Sequence, residues 1–211
     1  MRTVIETYNV YNYNELSDEA KEKAKQWYLD DTFRTDDFTS MIEEDLQSLF
    51  DTKLNVQYSL NYCQGDGLNI YGKIYAESIR ECLQKHKGGS QLEQFEDRLT
   101  EKEWKRIYHY AKECDGIKLP QNNRYCYCVA DRVDIAEDWF YQLENYSGYA
   151  NINMETLQKF EKLVIDIFTT LCRGYEEDGY KYFYEVEDEE MTETCEANEW
   201  EFLEDGTFYA A

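Results

Sequence analysis

A run of alternating side chains followed by a glycine-rich turn, LNVQYSLNYCQGDGLNIYGKIY at 54–75, is the feature that most restricts how this chain can fold. Apolar and aromatic residues occupy every second position of its first half, as in a strand with one buried face. The turn at 64–67 has two glycines, which reach positive φ without steric cost, and an aspartate. We therefore predict a β-hairpin. Its predicted inner face comprises Leu54, Val56, Tyr58, Leu60, Tyr62, Leu68, Ile70 and Ile74.

Helices must cover this hairpin, because two strands alone are not stable in water. Apolar residues at helical spacing, with Ser17, Thr100 and Asp134 as caps, predict helices at 17–31, 35–51, 75–87, 100–114, 135–145, from about 153, and at 188–199. Alternation at 3–13 and 124–133 predicts two further strands in the same sheet. The sequence thus predicts a single α+β domain over 1–211, with a small antiparallel sheet packed by amphipathic helices and a strongly acidic segment at 176–205.

The charge of the chain restricts its partners. It has 45 Asp and Glu against 22 Lys and Arg, a net charge of −23, which exceeds what solubility requires. Such a surface repels nucleic acid and anionic membranes and attracts basic proteins. No apolar run is long enough for a membrane span and no leader is evident. Seven cysteines without metal or redox spacing indicate reduced thiols, so we expect a cytoplasmic protein.

Motifs for catalysis and for cofactor binding are missing from the sequence. The two histidines, His86 and His109, are far apart, and the glycine-rich turn lacks the lysine and the helix that a phosphate loop requires. Cys126 and Cys128 would face the same side of a strand, as core thiols or as a metal pair. We expect binding rather than enzymatic activity, with no cofactor and no metal.

Carboxylates are concentrated in two stretches. The 35–51 helix has an acidic side, and the 176–205 segment has fourteen carboxylates against one lysine, with aromatic residues that predict an ordered structure. Rows of carboxylates on a rigid fold can imitate the phosphates of DNA, although a solvated face without a partner is the simpler interpretation. The predicted partner-binding residues are Asp36, Asp37, Glu43, Glu44, Asp45, Glu185, Glu187, Asp188, Glu189, Glu190 and Glu193.

Three stretches resemble a known group of proteins: YNELSDEAKEKAKQWY, NYCQGDGLNIYG and EANEWEFLEDGTFY. They are similar to acidic accessory proteins encoded by phages and prophages, some labelled antitoxins. That group shares an L-S-x-E-A-K-x-K-A helix start, a Q-G-D-G turn and an A-N-E-[YW]-x-F-x-x-D-G ending. The chain departs from it at Leu68 and Asn69 and over 84–125. The resemblance implies no catalytic residues, and it implies an accessory gene of a mobile element whose product neutralises a host protein.

Three functional hypotheses follow. The first is a phage-type inhibitor that acts as an acidic nucleic-acid mimic and binds a basic nucleic-acid-binding host defence protein, such as a CRISPR effector. The second is an antitoxin-like protein that occludes a cognate toxin. A hydrolase or metal enzyme is the third.

Overall fold

The computed structural model describes residue 2 and the segments 7–30, 33–85, 91–144 and 152–210, and its fold is α+β, as predicted. The helices are α1 (Asp18–Leu29), α2 (Phe33–Phe50), α3 (Ala76–Lys85), α4 (Glu101–Ala111), α5 (Ile135–Glu144), α6 (Met154–Tyr184) and α7 (Asp188–Ala197). The strands are β1 (Leu54–Ser59), β2 (Gly67–Ile74), β3 (Ile117–Leu119), β4 (Glu201–Phe202) and β5 (Phe208–Tyr209). Among these helices, none has the length and apolar character needed to cross a membrane.

Internal contacts divide the chain into two compact units. We call them the terminal unit, Met1–Phe38 with Gly179–Ala211, and the central unit, Thr39–Asp178. The single domain inferred from the sequence stays a prediction, and each unit is described by itself.

The hairpin prediction is confirmed in the central unit. Strands β1 and β2 pair antiparallel with Val56 opposite Ile70, and β3 pairs with the other edge of β2. Five of the predicted inner residues are buried: Leu54, Leu60, Leu68, Ile70 and Ile74. The prediction for Tyr62 is wrong, because β1 ends at Ser59 and Tyr62 lies in the connecting loop at φ 54°, 72% exposed. Val56 and Tyr58 are half-buried.

Asp66 fixes the shape of the hairpin loop. Its carboxylate accepts hydrogen bonds from the backbone N–H of Asn61 (2.6 Å) and of Cys63 (2.7 Å), and from the Ser59 hydroxyl (2.7 Å). These bonds, the one from Cys63 first, lower the pKa of Asp66. The aspartate of the turn therefore stabilises the loop itself and does not serve a phosphate-binding site.

The predicted strand at 124–133 is wrong. These residues form a loop and a 3₁₀ turn at Ala130–Arg132, and the third strand of the sheet, β3, lies earlier, at Ile117–Leu119. Asn69 of β2, 1% exposed, donates to Pro120 O and accepts from Val129 N, both at 3.0 Å. Gln57 of β1 donates to the carbonyl oxygens of Asn122 and Tyr125. Side chains of β1 and β2 supply these hydrogen bonds. The segment is therefore held against the sheet without the backbone pairing of a strand.

The helix predictions hold in the central unit, including two of the three predicted caps. The Thr100 hydroxyl and the Glu103 carboxylate form a capping box at α4, and Asp134 accepts from Glu137 N at 3.1 Å. Helix α6 supplies a continuous buried side, whose Phe160 packs against Trp104 and Trp139 with ring centroids 5.7 and 5.8 Å away.

Some helix details differ from the prediction. Met41 shares the helical spacing of apolar residues that predicts α2, yet it is 50% exposed, because the buried positions follow Phe38, Ile42 and Leu46. Two glycines at 88 and 89 predict the end of the helix that begins near 75, and both lie outside the described residues.

The terminal unit is built around a small aromatic core. Ser17 caps α1, as predicted, and the buried cluster consists of Tyr13, Leu16, Ala20, Ala24, Met191, Cys195 and Phe202. Trp27 stacks on Phe208 with a centroid distance of 4.2 Å. The strand predicted at 3–13 is wrong where it is described: Tyr11 forms one bridge, to Phe202 of β4, and does not join the hairpin sheet.

Candidate acidic binding surface

Nine exposed glutamates form the acidic surface of the terminal unit, and we use that name for them throughout. They are Glu185, Glu187, Glu189, Glu190, Glu193, Glu196, Glu199, Glu201 and Glu204. None of them makes an ion pair or a side-chain hydrogen bond with another residue that the structure describes. Within 185–205 the other two carboxylates, Asp188 and Asp205, are bound to lysines. The acidic surface is therefore charge that the described part of the unit does not neutralise.

Helix α7 arranges part of this charge in a row. Met191 and Cys195 face the core, 0% and 3% exposed, and the helical period places Glu189, Glu193 and Glu196 on the opposite side. At 1.5 Å per residue these three span about 10 Å, so successive charges lie about 5 Å apart along the axis. One strand of duplex DNA has about one phosphate per 3.4 Å of axis. The axial charge spacing along α7 is thus of the same order as that of a single DNA strand, and somewhat wider.

Asp188 holds the start of α7 in place. It accepts a hydrogen bond from the Tyr13 hydroxyl at 2.8 Å and pairs with Lys25 Nζ at 2.7 Å. The bond from Lys25, followed by that from Tyr13, lowers the pKa of Asp188, while burial and the same bond raise the pKa of Tyr13. Asp188, predicted from the sequence as a partner-binding residue, is thus engaged inside the unit.

A cavity of about 440 Å³ opens beside α7. Its lining includes Glu196, Glu199, Glu201 and the half-buried Trp200, and carboxylates and indole rings both attract cations. These three glutamates were missed as site residues. They lie in the 176–205 segment that the sequence singled out, so its charge run was the available signal.

The second predicted cluster, on α2, is divided between the units. Asp36 and Asp37 are exposed in the terminal unit, whereas Glu44 (exposed) and Glu43 (half-buried) belong to the central unit. Asp45 accepts a hydrogen bond from the Tyr175 hydroxyl, so it is engaged inside the central unit. The unit boundary thus separates the eleven predicted residues into two sets.

The sequence also singled out two cysteines and two histidines as candidates for metal or thiol chemistry. In the segments that the structure describes, no group of three or more His, Cys, Asp or Glu residues is arranged to hold a metal ion. The predicted strand that would align Cys126 with Cys128 does not form, and both thiols are half-buried. His109 is exposed, and His86 lies outside the described residues.

A scan against protein-family models, a search of curated proteins and a search of solved structures each return no match for this chain. The candidate site therefore rests on the geometry and the charge of the chain itself.

Proposed function

We propose that this protein is a non-enzymatic, phage-type inhibitor that binds a basic nucleic-acid-binding host defence protein in the host cytoplasm and occupies its phosphate-binding groove. A CRISPR effector is the kind of partner that this proposal names. The acidic surface stands in for the phosphates of a nucleic acid.

One observation carries the proposal: nine of the eleven carboxylates between 185 and 205 are exposed and have no cation among the described residues. Like charges held close together repel each other and reduce stability, so such a surface costs the fold free energy unless a partner supplies the positive charge. The two engaged aspartates, Asp188 and Asp205, instead tie this segment to α1 through Lys25 and Lys23. The charge is thus presented on a segment with fixed attachments.

The chemistry of the partner follows from this arrangement. Proteins that bind DNA lay Lys and Arg along its phosphates, and a row of carboxylates competes for the same side chains. Arginine pairs with carboxylate and phosphate in the same bidentate geometry. The contact is electrostatic, so it weakens as salt rises.

The test is capture of host proteins at low salt followed by elution with duplex DNA. We expect the wild-type protein to retain a basic nucleic-acid-binding protein that DNA displaces. The variant with Glu189, Glu190, Glu193 and Glu196 all changed to Lys should retain at least about a thousandfold less, because close charge pairs at interfaces contribute about 1.5 kcal/mol or more each.

A matched control variant separates the effect of the charge on α7 from the effect of the net charge of the protein. Changing Glu77, Glu81, Glu137 and Asp138 to Lys alters the net charge equally, at exposed positions of the central unit. This control should bind like the wild type. An equal loss of binding in both variants would mean that the net charge of the protein alone determines binding, and it would contradict the proposal.

An antitoxin-like function is the alternative. It predicts that co-expression rescues cells from a toxin encoded beside this gene, with no displacement by DNA. Rescue with unchanged binding by the α7 variant would favour that alternative.

A further inference from the structure

Two lysines lie directly opposite each other on the sheet of the central unit. Lys73 of β2 is in register with Lys118 of β3, and both side chains are exposed. The next pair along the two strands, Ile74 with Ile117, is buried, so the lysines project from the other, solvent-facing side of the sheet. Side chains at such opposite positions are about 5 Å apart at Cβ, and like charges there destabilise the pairing.

A third lysine extends this pair into a row. Lys53 comes immediately before β1, and the register that pairs Leu54 with Gly72 places Lys53 opposite Lys73 when it is extended by one residue. Lys53 is also exposed. We call Lys53, Lys73 and Lys118 the lysine row. Because neighbouring strands are about 4.8 Å apart, the row spans about 10 Å, in a chain with 45 carboxylates against 22 cationic side chains.

Among the described residues, a carboxylate pairs with one member of the row, Lys73. Its Nζ lies 2.7 Å from Asp115 Oδ1 and 5.7 Å from the centroid of the Tyr75 ring. Lys53 and Lys118 therefore contribute two positive charges that no described carboxylate offsets. An anion bound at the row would offset them.

A cavity of about 480 Å³ opens on the same side of the sheet and is lined by both Lys73 and Lys118. The half-buried Tyr71, two residues before Lys73 and hence on the same face of β2, also lines it. Pockets of about 300–1,000 Å³ with a few convergent polar groups are typical of small-molecule sites. This cavity thus brings two cationic groups and an aromatic ring together.

A phosphate monoester has the charge that these groups require. It carries about −1.5 to −2 at neutral pH, which the two unpaired lysines offset. Lysine binds phosphate as a point charge, and its flexible stem lets neighbouring lysines converge on one group. The cavity has the size of a site for an organic molecule, and aromatic rings such as that of Tyr71 stack on nucleobases of every kind.

We propose that the lysine row and the cavity beside it bind a nucleoside monophosphate, with the phosphate on the lysines and the base against Tyr71. The bound anion offsets the repulsion between Lys73 and Lys118, so it stabilises the fold as it binds. This site lies entirely in the central unit and does not depend on the acidic surface.

The test is isothermal titration calorimetry of the full chain with adenosine 5′-monophosphate, adenosine and inorganic phosphate. Salt at about 150 mM screens the long-range repulsion by the net charge. We expect the monophosphate to bind at least about tenfold more tightly than either fragment, because it alone engages both the lysines and Tyr71. Lys118→Gln should weaken its binding at least about tenfold. Tyr71→Leu should weaken the binding of the monophosphate and leave that of inorganic phosphate unchanged.

Lys105→Gln is the matched control, because it removes the same charge from an exposed position of α4. This control should bind like the wild type. Lys118→Gln should unfold at no lower urea concentration than the wild type, since it removes a repulsion, so its loss of binding would not reflect unfolding. The proposal would be overturned if the wild type did not bind the monophosphate, if either fragment bound as tightly, or if Lys105→Gln lost as much affinity as Lys118→Gln.

Discussion

The two units use their carboxylates in opposite ways. The terminal unit has 20 Asp and Glu against 6 Lys and Arg, a net charge of −14 over 71 residues. The central unit has 25 against 16, a net charge of −9 over 140 residues. The charge density of the terminal unit is therefore about three times higher. If the excess of carboxylates served solubility alone, there would be no reason for it to be concentrated in the smaller unit.

Carboxylates of the central unit stabilise its fold. Glu161 accepts from the backbone N–H of Ile135 (2.7 Å) and of Ala136 (2.9 Å), so α6 caps the start of α5. Glu103 caps α4 and pairs with Lys159 at 3.0 Å. In contrast, the nine glutamates of the acidic surface support no other described residue. Net charge therefore indicates function only when the carboxylates that stabilise the fold are left out of the count.

The largest expected effect is on the core that supports the acidic surface. Phe202 is 0% exposed and its ring lies 6.4 Å from Tyr13 and 6.0 Å from Trp27 and Phe208. Phe202→Ala should lower the free energy of unfolding by about 3–5 kcal/mol through lost burial and a cavity. Urea denaturation measures it. Tyr184→Ala, at a position 44% exposed, should cost less than about 1 kcal/mol; equal losses would contradict the assigned core.

Neutralising single carboxylates compares the units directly. Glu103→Gln in the central unit should lower the free energy of unfolding by about 1 kcal/mol, because it weakens the capping box and the contact with Lys159. Glu193→Gln in the terminal unit should change it by less than about 0.5 kcal/mol, since Glu193 has no partner to lose among the described residues. Thermal denaturation of both variants measures this. A larger loss at Glu193 would mean that the acidic surface has a structural role.

The pH dependence of stability should follow the engaged carboxylates. Hydrogen bonds from the backbone and side chain of Thr100, together with Lys159, lower the pKa of Glu103 to about 2, and bonds to lysines lower those of Asp188 and Asp205. Groups with a lowered pKa stabilise the fold above their unfolded pKa, and this stability is lost as the pH falls through the folded value. The urea midpoint should therefore drop between about pH 5 and pH 2. Asp188→Asn should flatten that drop, whereas Glu189→Gln should not.

Local signals in the sequence predicted much of the fold. Alternation and the turn at 64–67 gave the hairpin, and the residue types at Ser17, Thr100 and Asp134 gave three helix starts. The 124–133 segment alternates equally well, yet it is held by Asn69 and Gln57, whose bonds join residues about sixty positions apart. Alternation cannot reveal such partners, because it reports only the preferences of neighbouring residues.

The sequence located the candidate site as a region, but it did not identify all of the residues in it. The acidic run at 176–205 located the surface, and its exposed glutamates follow from the aromatic residues that order it. The sequence could not show that Asp188 and Asp45 are occupied, because Lys25 and Tyr175, which bind them, are distant in the chain. It also could not show that Glu196, Glu199 and Glu201 share a cavity with Trp200.

The salt dependence of binding to the captured host protein tests the central claim most directly. The dissociation constant of the wild type should rise at least about tenfold between about 50 and 200 mM salt, because the proposed contact is between the acidic surface and basic side chains. The variant with Lys at 189, 190, 193 and 196 should lose both the affinity and this dependence, while the central-unit control keeps them. Binding that is tight and independent of salt, or that survives in the α7 variant, would contradict the account.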